Sequence, residues 1–139
     1  MIVYNIIVVK AKRKLWMDLP LVLVIMWAGF IFGASSIPGS DLPSIEVSDK
    51  LIHLAVYLVF GFLLMWWRGA KAERHIGPSM FQAVMIGSIY GITDELHQGL
   101  VSGRTPDPAD WVADTFGVFL GALFFLAVAF IFVKRQKAQ

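Results

Sequence analysis

The chain has 139 residues, of which 58% are hydrophobic and 16% charged, and its mean hydropathy is +0.70. This composition excludes a disordered segment and an ordinary soluble domain, whose apolar share is about 45–50%. The absence of cysteine excludes a disulfide framework, a thiolate zinc site, a thiol nucleophile and an iron–sulfur cluster. A net charge of only +2 does not indicate a nucleic-acid partner.

Four apolar segments approach the roughly 20 residues that a bilayer-spanning helix needs. We predict spans at about residues 19–37, 50–67, 79–98 and 109–133, within one domain that covers residues 1–139. The stretch from Ile2 to Val9 is too short to cross and lacks the basic start of a secretory signal, and Met17 offers an alternative start. The expected fold is an all-α, integral membrane four-helix bundle, with spans two to four central and span one peripheral.

The distribution of charge predicts the orientation of these spans. With the N-terminus placed in the cytoplasm, ten of the twelve basic residues fall on the inner side and eight of the ten acids on the outer side. Lysine and arginine in short loops favour the cytoplasmic face. We therefore expect both the N-terminus and the C-terminus to be cytoplasmic.

Local signals predict where two of the helices begin and how the helices pack. Ser79 and Gln82 resemble a capping box that opens span three, and Asp107 followed by Pro108 is typical of an N-cap and a first helical residue. Spans three and four each carry two glycines four residues apart, a pattern that allows close helix contact. We expect spans three and four to approach each other through them.

Titratable residues recur along one face of three predicted spans, near their outer ends. Helical spacing places Asp49, His53 and Tyr57 on one face of span two. The corresponding face of span three carries Tyr90, Asp94, His97 and Gln98, and that of span four carries Asp107, Asp110 and Asp114. An ionisable group at membrane depth costs about 2.5–3.5 kcal/mol, so these groups are expected to face the bundle interior and to find partners there.

Some of these acids also have a purely structural explanation. Asp49, Asp107 and Asp110 lie in the first turns of their helices, where the helix dipole favours an acid. Asp94 and Glu95 lie at the opposite, unfavourable end of span three, which indicates another role. The alternatives for Asp114 are a ligand role or a structural pair with Arg104, Lys50 or a histidine.

Two blocks of the chain resemble the signatures of the VanZ-like family, small membrane proteins named for a teicoplanin-resistance protein. The first block is Ser48-Asp49-Lys50-Leu51-Ile52-His53, followed by Tyr57 and Gly61. The second block is residues 90–98, Gly103-Arg104, Asp110, residues 114–117 and Gly121. The resemblance implies a multi-pass protein of the bacterial plasma membrane with a site at these positions. Antibiotic resistance is an association of the family and is not implied for this chain. Asp114 departs from the family, which often has asparagine there.

We predict that the outer cluster binds a polar group of a lipid, a cell-envelope precursor or a glycopeptide. Arg104 and Lys50 would hold a phosphate or carboxylate, since both are cationic donors. The predicted ligand-binding residues are Asp49, Lys50, His53, Tyr57, Asp94, Glu95, His97, Gln98, Arg104, Asp110 and Asp114.

An alternative is an intramembrane hydrolase or transferase that acts on an envelope lipid. Glu95, His97 and His53 are its catalytic candidates, and in a metal-free reaction Glu95 or His97 would be the general base. In a metal-assisted reaction a divalent metal would be the cofactor, with His53, Asp94, His97 and Asp114 as candidate ligands. A transporter is a third reading, which the apolar inner halves of the spans disfavour.

Overall fold

The computed structural model describes residues 2–41, 48–71 and 75–136, which form four α-helices and one short 3-10 turn. The helices are α1 (Ile2–Ser35), α2 (Asp49–Lys71), α3 (Ile76–Gln98) and α4 (Pro108–Gln136), and the turn is Gly39–Asp41. No strand occurs in these ranges. The predicted all-α bundle is confirmed. Four charged residues counted in the orientation prediction lie outside the described residues: Glu46, Glu73, Arg74 and Lys137.

Three of the helices are long and apolar enough to cross a membrane. The spanning segments are Asp18–Ser35 in α1, Asp49–Gly69 in α2 and Pro108–Phe132 in α4. Many of their large apolar side chains are exposed on the outside of the bundle, as expected for surfaces that contact lipid. The chain is therefore a membrane protein. That both termini are cytoplasmic stays a prediction.

Helix α3 is more polar in composition than the other three, and the structure explains why. Its 23 residues extend about 34 Å at 1.5 Å per residue, which is enough to cross the hydrocarbon core. Its buried polar side chains are Ser79, Asp94, Glu95 and Gln98. Its exposed face carries Phe81, Met85, Ile89 and Leu96. The polar residues thus face the other helices and an apolar surface faces outward, which is consistent with a fourth span.

Helix α2 forms the centre of the bundle. It packs most extensively on α4 and also contacts α1 and α3, whereas α1 has only slight contact with α3. The most deeply buried side chains along α2 are Tyr57, Phe60, Leu64 and Met65, and Val118 of α4 packs in the same core. The prediction that spans two to four are central and span one is peripheral agrees with this arrangement.

Glycines allow the central helices to approach closely. A Cβ at Gly121 would overlap the carbonyl oxygen of Leu58 in α2, and one at Gly117 would lie 2.5 Å from that of Leu54. The glycines of α4 therefore face α2, and the prediction that they face span three was wrong. Gly87 of α3 does face α4, because a Cβ at Gly87 would lie 2.5 Å from the Val118 side chain of that helix. Spacing alone identifies a small-residue face but not the helix that packs on it.

The two predicted helix starts have different outcomes. Asp107 caps α4, since its Oδ1 accepts a hydrogen bond of 2.9 Å from the backbone N–H of Ala109. The capping box at Ser79 was wrong, because α3 begins three residues earlier, at Ile76. Pro78 lies in the first turn, where its missing N–H is tolerated, so the helix can begin before the proline.

Replacement of Gly121 by alanine should destabilise the bundle, because the added Cβ overlaps the α2 backbone. We expect Gly121→Ala to lower the free energy of unfolding in detergent by about 1–3 kcal/mol, the usual cost of overpacking. Gly33→Ala is the matched control, since a Cβ there meets no atom within 4 Å. Equal stability of the two variants would contradict the close packing of α2 on α4.

The predicted orientation can be tested with single cysteines, because the chain has none of its own. Ser102 and His75 are both exposed and lie in loops at opposite ends of the bundle. A membrane-impermeant maleimide should label Ser102→Cys in intact cells and should label His75→Cys only after permeabilisation. The cysteine-free parent is the background control, and the reverse pattern would invert the topology.

Candidate functional site

One end of the bundle collects nearly all of its buried polar side chains. The antiparallel helices bring together the C-terminal ends of α1 and α3 and the N-terminal ends of α2 and α4. The buried polar residues found at this end are Ser35, His53, Asp94, Glu95, Gln98, Asp110 and Asp114. The convergence predicted for three helices therefore occurs, and α1 joins it through Ser35.

Asp94 is the acceptor for side chains of three helices. Its Oδ1 accepts a hydrogen bond of 2.5 Å from the Ser35 hydroxyl of α1. Its Oδ2 accepts hydrogen bonds from the Tyr57 hydroxyl of α2, at 3.3 Å, and from the Gln98 amide, at 3.4 Å. Sequence analysis missed Ser35, because an isolated serine at the end of span one carries no pattern. Asp94 thus joins α1 and α2 to α3.

Asp114 pairs with a histidine, which was one of its predicted alternatives. Its Oδ1 lies 2.9 Å from Nδ1 of His53, so the pair connects α4 to α2. Asp114 is fully buried, and its second carboxylate oxygen, Oδ2, has no hydrogen-bond partner. A buried oxygen without a donor carries an uncompensated desolvation cost.

Lys50 makes the ion pairs at the rim of the cluster. Its Nζ lies 2.6 Å from Oδ2 of Asp107 and 3.3 Å from Oδ1 of Asp110. The hydrogen bond from Lys50 holds the pKa of the Asp107 carboxyl below its ordinary value. Since the Lys50 and Asp107 side chains are both nearly half exposed, this pair adds little stability and mainly positions the start of α4.

Glu95 lies close to the N-terminus of the neighbouring helix, which explains an acid at the C-terminal end of α3. Its Oε2 accepts a hydrogen bond of 2.8 Å from the backbone N–H of Asp107, the N-cap of α4. Its Oε1 accepts one of 3.4 Å from the Gln98 amide. A carboxylate is favoured at a helix N-terminus and disfavoured at a C-terminus. The dipole of α4 therefore stabilises the Glu95 carboxylate, which the dipole of α3 disfavours.

His97 and Asp94 do not join the metal-ligating groups of the described residues. His97 packs at the C-terminal end of α1, where its ring stacks on Phe32 and its Nε2 lies 2.9 Å from the hydroxyl of Ser36, the residue that follows the helix. Two groups of three residues could each hold a metal ion, because the ligand atoms inside each group lie within 4.8 Å of one another. Both groups contain His53. The two groups are Asp49, His53 and Asp110, and His53, Glu95 and Asp114.

A cavity of about 410 Å³ opens between α1, α2 and α3 beside this cluster. Its polar lining consists of Ser35, Asp49, His53, Tyr57, Asp94, Gln98 and Arg104. Its apolar lining consists of Phe30, Ile31, Ala34, Ile37, Ile52 and Val56. Predicted ligand-binding residues outside this lining are Lys50, Glu95, His97, Asp110 and Asp114.

Arg104 is the cation that lines the cavity. Its Nε is buried without a hydrogen-bond partner, and it makes no ion pair with any acid in the described ranges. The preceding residue, Gly103, has φ of +73°, a conformation that glycine adopts without strain. A Cβ at Gly39 would overlap the Gly103 carbonyl, so the two loops lie in direct contact. This contact positions Arg104.

In a comparison with known protein families, the VanZ/LLP1 family model matches residues 19–132, a range that contains the whole site. The chain belongs to the VanZ/LLP1 family. The resemblance drawn from the two sequence blocks is thereby confirmed, and every site residue of this VanZ/LLP1 protein lies inside the matched range. No curated protein and no solved structure shows a significant match to the chain.

The hydrogen bonds of Asp94 predict a graded series of stabilities. We expect Tyr57→Phe to lower the free energy of unfolding by about 1 kcal/mol, because it removes one donor. Asp94→Ala should cost about 3 kcal/mol, since it leaves the Ser35 and Tyr57 hydroxyls without their acceptor and takes one of two acceptors from the Gln98 amide. Thermal unfolding in detergent measures both. Asp94→Asn keeps an acceptor oxygen and serves as the control, with an expected loss of unfolding free energy between those of the other two variants. A loss for Asp94→Ala no greater than that for Tyr57→Phe would contradict the network.

Proposed function

We propose that this VanZ/LLP1 membrane protein binds an amphipathic anionic ligand, a lipid or a lipid-linked cell-envelope precursor, at the outer end of its bundle. The observation that carries the proposal is Arg104, a cation with a buried, unpaired Nε at a mainly apolar cavity that polar side chains line at one side. A guanidinium binds phosphate or carboxylate through two parallel hydrogen bonds. The anion would supply the partner that Arg104 lacks within the described residues.

The shape of the cavity favours a ligand with an acyl chain. Apart from Ile37, which follows α1, its apolar wall consists of residues from α1 and α2, including Phe30, Ile31 and Val56. These two helices have many exposed apolar side chains, so the cavity lies between surfaces that contact lipid. A volume of about 410 Å³ is at the lower end for small-molecule sites and suits a headgroup with part of its chain. A glycopeptide would place only one of its groups there.

The acids of the cavity differ in their availability to a ligand. Asp94 already accepts three hydrogen bonds from Ser35, Tyr57 and Gln98. Asp49 is exposed and has no hydrogen-bond partner among the described side chains. It is therefore free to accept a hydrogen bond from a hydroxyl or ammonium group. The site would select a headgroup that combines a phosphate, for Arg104, with a hydrogen-bond donor, for Asp49.

The membrane setting completes the proposal. With both termini in the cytoplasm, the cavity and its Arg104 lie at the headgroup level of the outer leaflet of a bacterial plasma membrane. Ligands of this leaflet include phosphatidylglycerol and the lipid-linked precursors of the cell envelope, which share an anionic phosphate and an apolar chain.

Replacement of Arg104 should weaken the binding of an anionic lipid. The probes are dioleoylphosphatidylglycerol and dioleoylglycerol, which have the same chains and differ in the phosphate headgroup. Native mass spectrometry of the purified protein should show preferential binding of the phosphatidylglycerol. We expect Arg104→Gln to reduce it about ten-fold or more, and Arg104→Lys to retain part of it.

Arg135→Gln is the matched control, because Arg135 is exposed at the opposite end of α4. It should bind both probes as the parent does. Two results would refute the proposal: equal binding of the two probes by the parent, or phosphatidylglycerol binding by Arg104→Gln that equals that of Arg135→Gln.

A further inference from the structure

Three titratable side chains from three helices meet behind the polar wall of the cavity. They are His53 of α2, Glu95 of α3 and Asp114 of α4, and each of them is buried. One ligand atom from each lies at most 4.8 Å from those of the other two. His53 also lines the cavity, so the cluster and the cavity share this residue.

A second observation indicates that the cluster lacks a partner. Asp114 is fully buried, yet its Oδ2 has no hydrogen bond. Among the described residues, no lysine or arginine forms an ion pair with Glu95 or Asp114. Lys50 pairs with Asp107 and Asp110 instead. The cluster therefore holds two buried carboxylates against a single imidazole.

We propose that His53, Glu95 and Asp114 bind one divalent transition-metal ion, either Zn²⁺ or Mn²⁺. Imidazole combined with carboxylate is a ligand set that suits these ions. The ion neutralises both carboxylates and gives Asp114 Oδ2 the partner that it lacks. Three protein ligands leave a coordination position for water or for a ligand oxygen.

The distances require only small adjustments. Ligand atoms that bind one ion tetrahedrally at about 2.1 Å lie roughly 3.4 Å apart, so atoms at most 4.8 Å apart must move by about an ångström. Existing hydrogen bonds orient the ligands. The backbone N–H of Asp107 and the amide of Gln98 both hold Glu95, in the way that outer partners of metal ligands do.

This site differs from the ligand set expected from the sequence. It keeps His53 and Asp114, adds Glu95, and omits Asp94 and His97. Asp94 is occupied by three hydrogen-bond donors, and His97 packs against α1. The proposal goes beyond lipid binding, because its probe is the metal alone and Arg104 takes no part in it.

The test is the metal content of the full chain, purified in detergent, stripped with EDTA and reloaded with Zn²⁺ or Mn²⁺. Elemental analysis should find about one ion per chain in the parent. Asp114→Asn and Glu95→Gln should each weaken metal binding about ten-fold or more, because each removes a charged ligand. Asp94→Asn and His97→Gln are the matched controls, as a neighbouring buried acid and a neighbouring histidine, and should keep the metal.

A reloaded parent with less than about 0.1 ion per chain would overturn the proposal. So would full metal binding by Asp114→Asn, or an equal loss in the two control variants. A second measurement needs no variant: the Tm of the parent should rise with added Zn²⁺ or Mn²⁺ and fall back with EDTA. A Tm that neither ion changes would also overturn the proposal.

Discussion

The poor solvation of charge inside a membrane determines how this bundle is assembled. An ionisable side chain at membrane depth costs about 2.5–3.5 kcal/mol, so it turns toward the other helices and takes a partner there. Asp94 accepts hydrogen bonds from α1 and α2, Asp114 pairs with His53 of α2, and Glu95 accepts the N-cap N–H of α4. Each acid thus joins its own helix to another, and together they hold one end of each of the four helices in one place.

Close packing of the helices makes these contacts geometrically possible. Gly117 and Gly121 let α4 lie against the backbone of α2, and Gly87 lets α3 pack on Val118. Side chains as short as aspartate can reach a neighbouring helix only when the backbones are this near. Helix α1 has only slight contact with α3, and the cavity opens between α1, α2 and α3. The difference in packing thus separates a tight polar cluster, behind His53, from an open cavity that Arg104 lines.

Helical periodicity predicted the parts of the site that depend on one helix at a time. It placed Asp49, His53 and Tyr57 on one face, and all three line the cavity. It could not identify partners on other helices, which depend on how the helices rotate against each other. The pairing of Asp114 with His53 remained one of several alternatives, and Ser35 was missed because an isolated serine carries no pattern. The residues of α4 that meet α2 were likewise assigned to the wrong neighbour.

The cavity and the proposed metal cluster share His53. The central claim is that buried polar side chains of different helices stabilise the bundle through direct contact with one another. A double-mutant cycle on His53 and Asp114 tests it most directly. The free energy of unfolding in detergent would be compared for the parent, His53→Ala, Asp114→Ala and the double variant. We predict a coupling energy of about 0.5–3 kcal/mol, because each single change leaves the other group buried without its partner. Strictly additive losses, with a coupling energy near zero, would contradict the account.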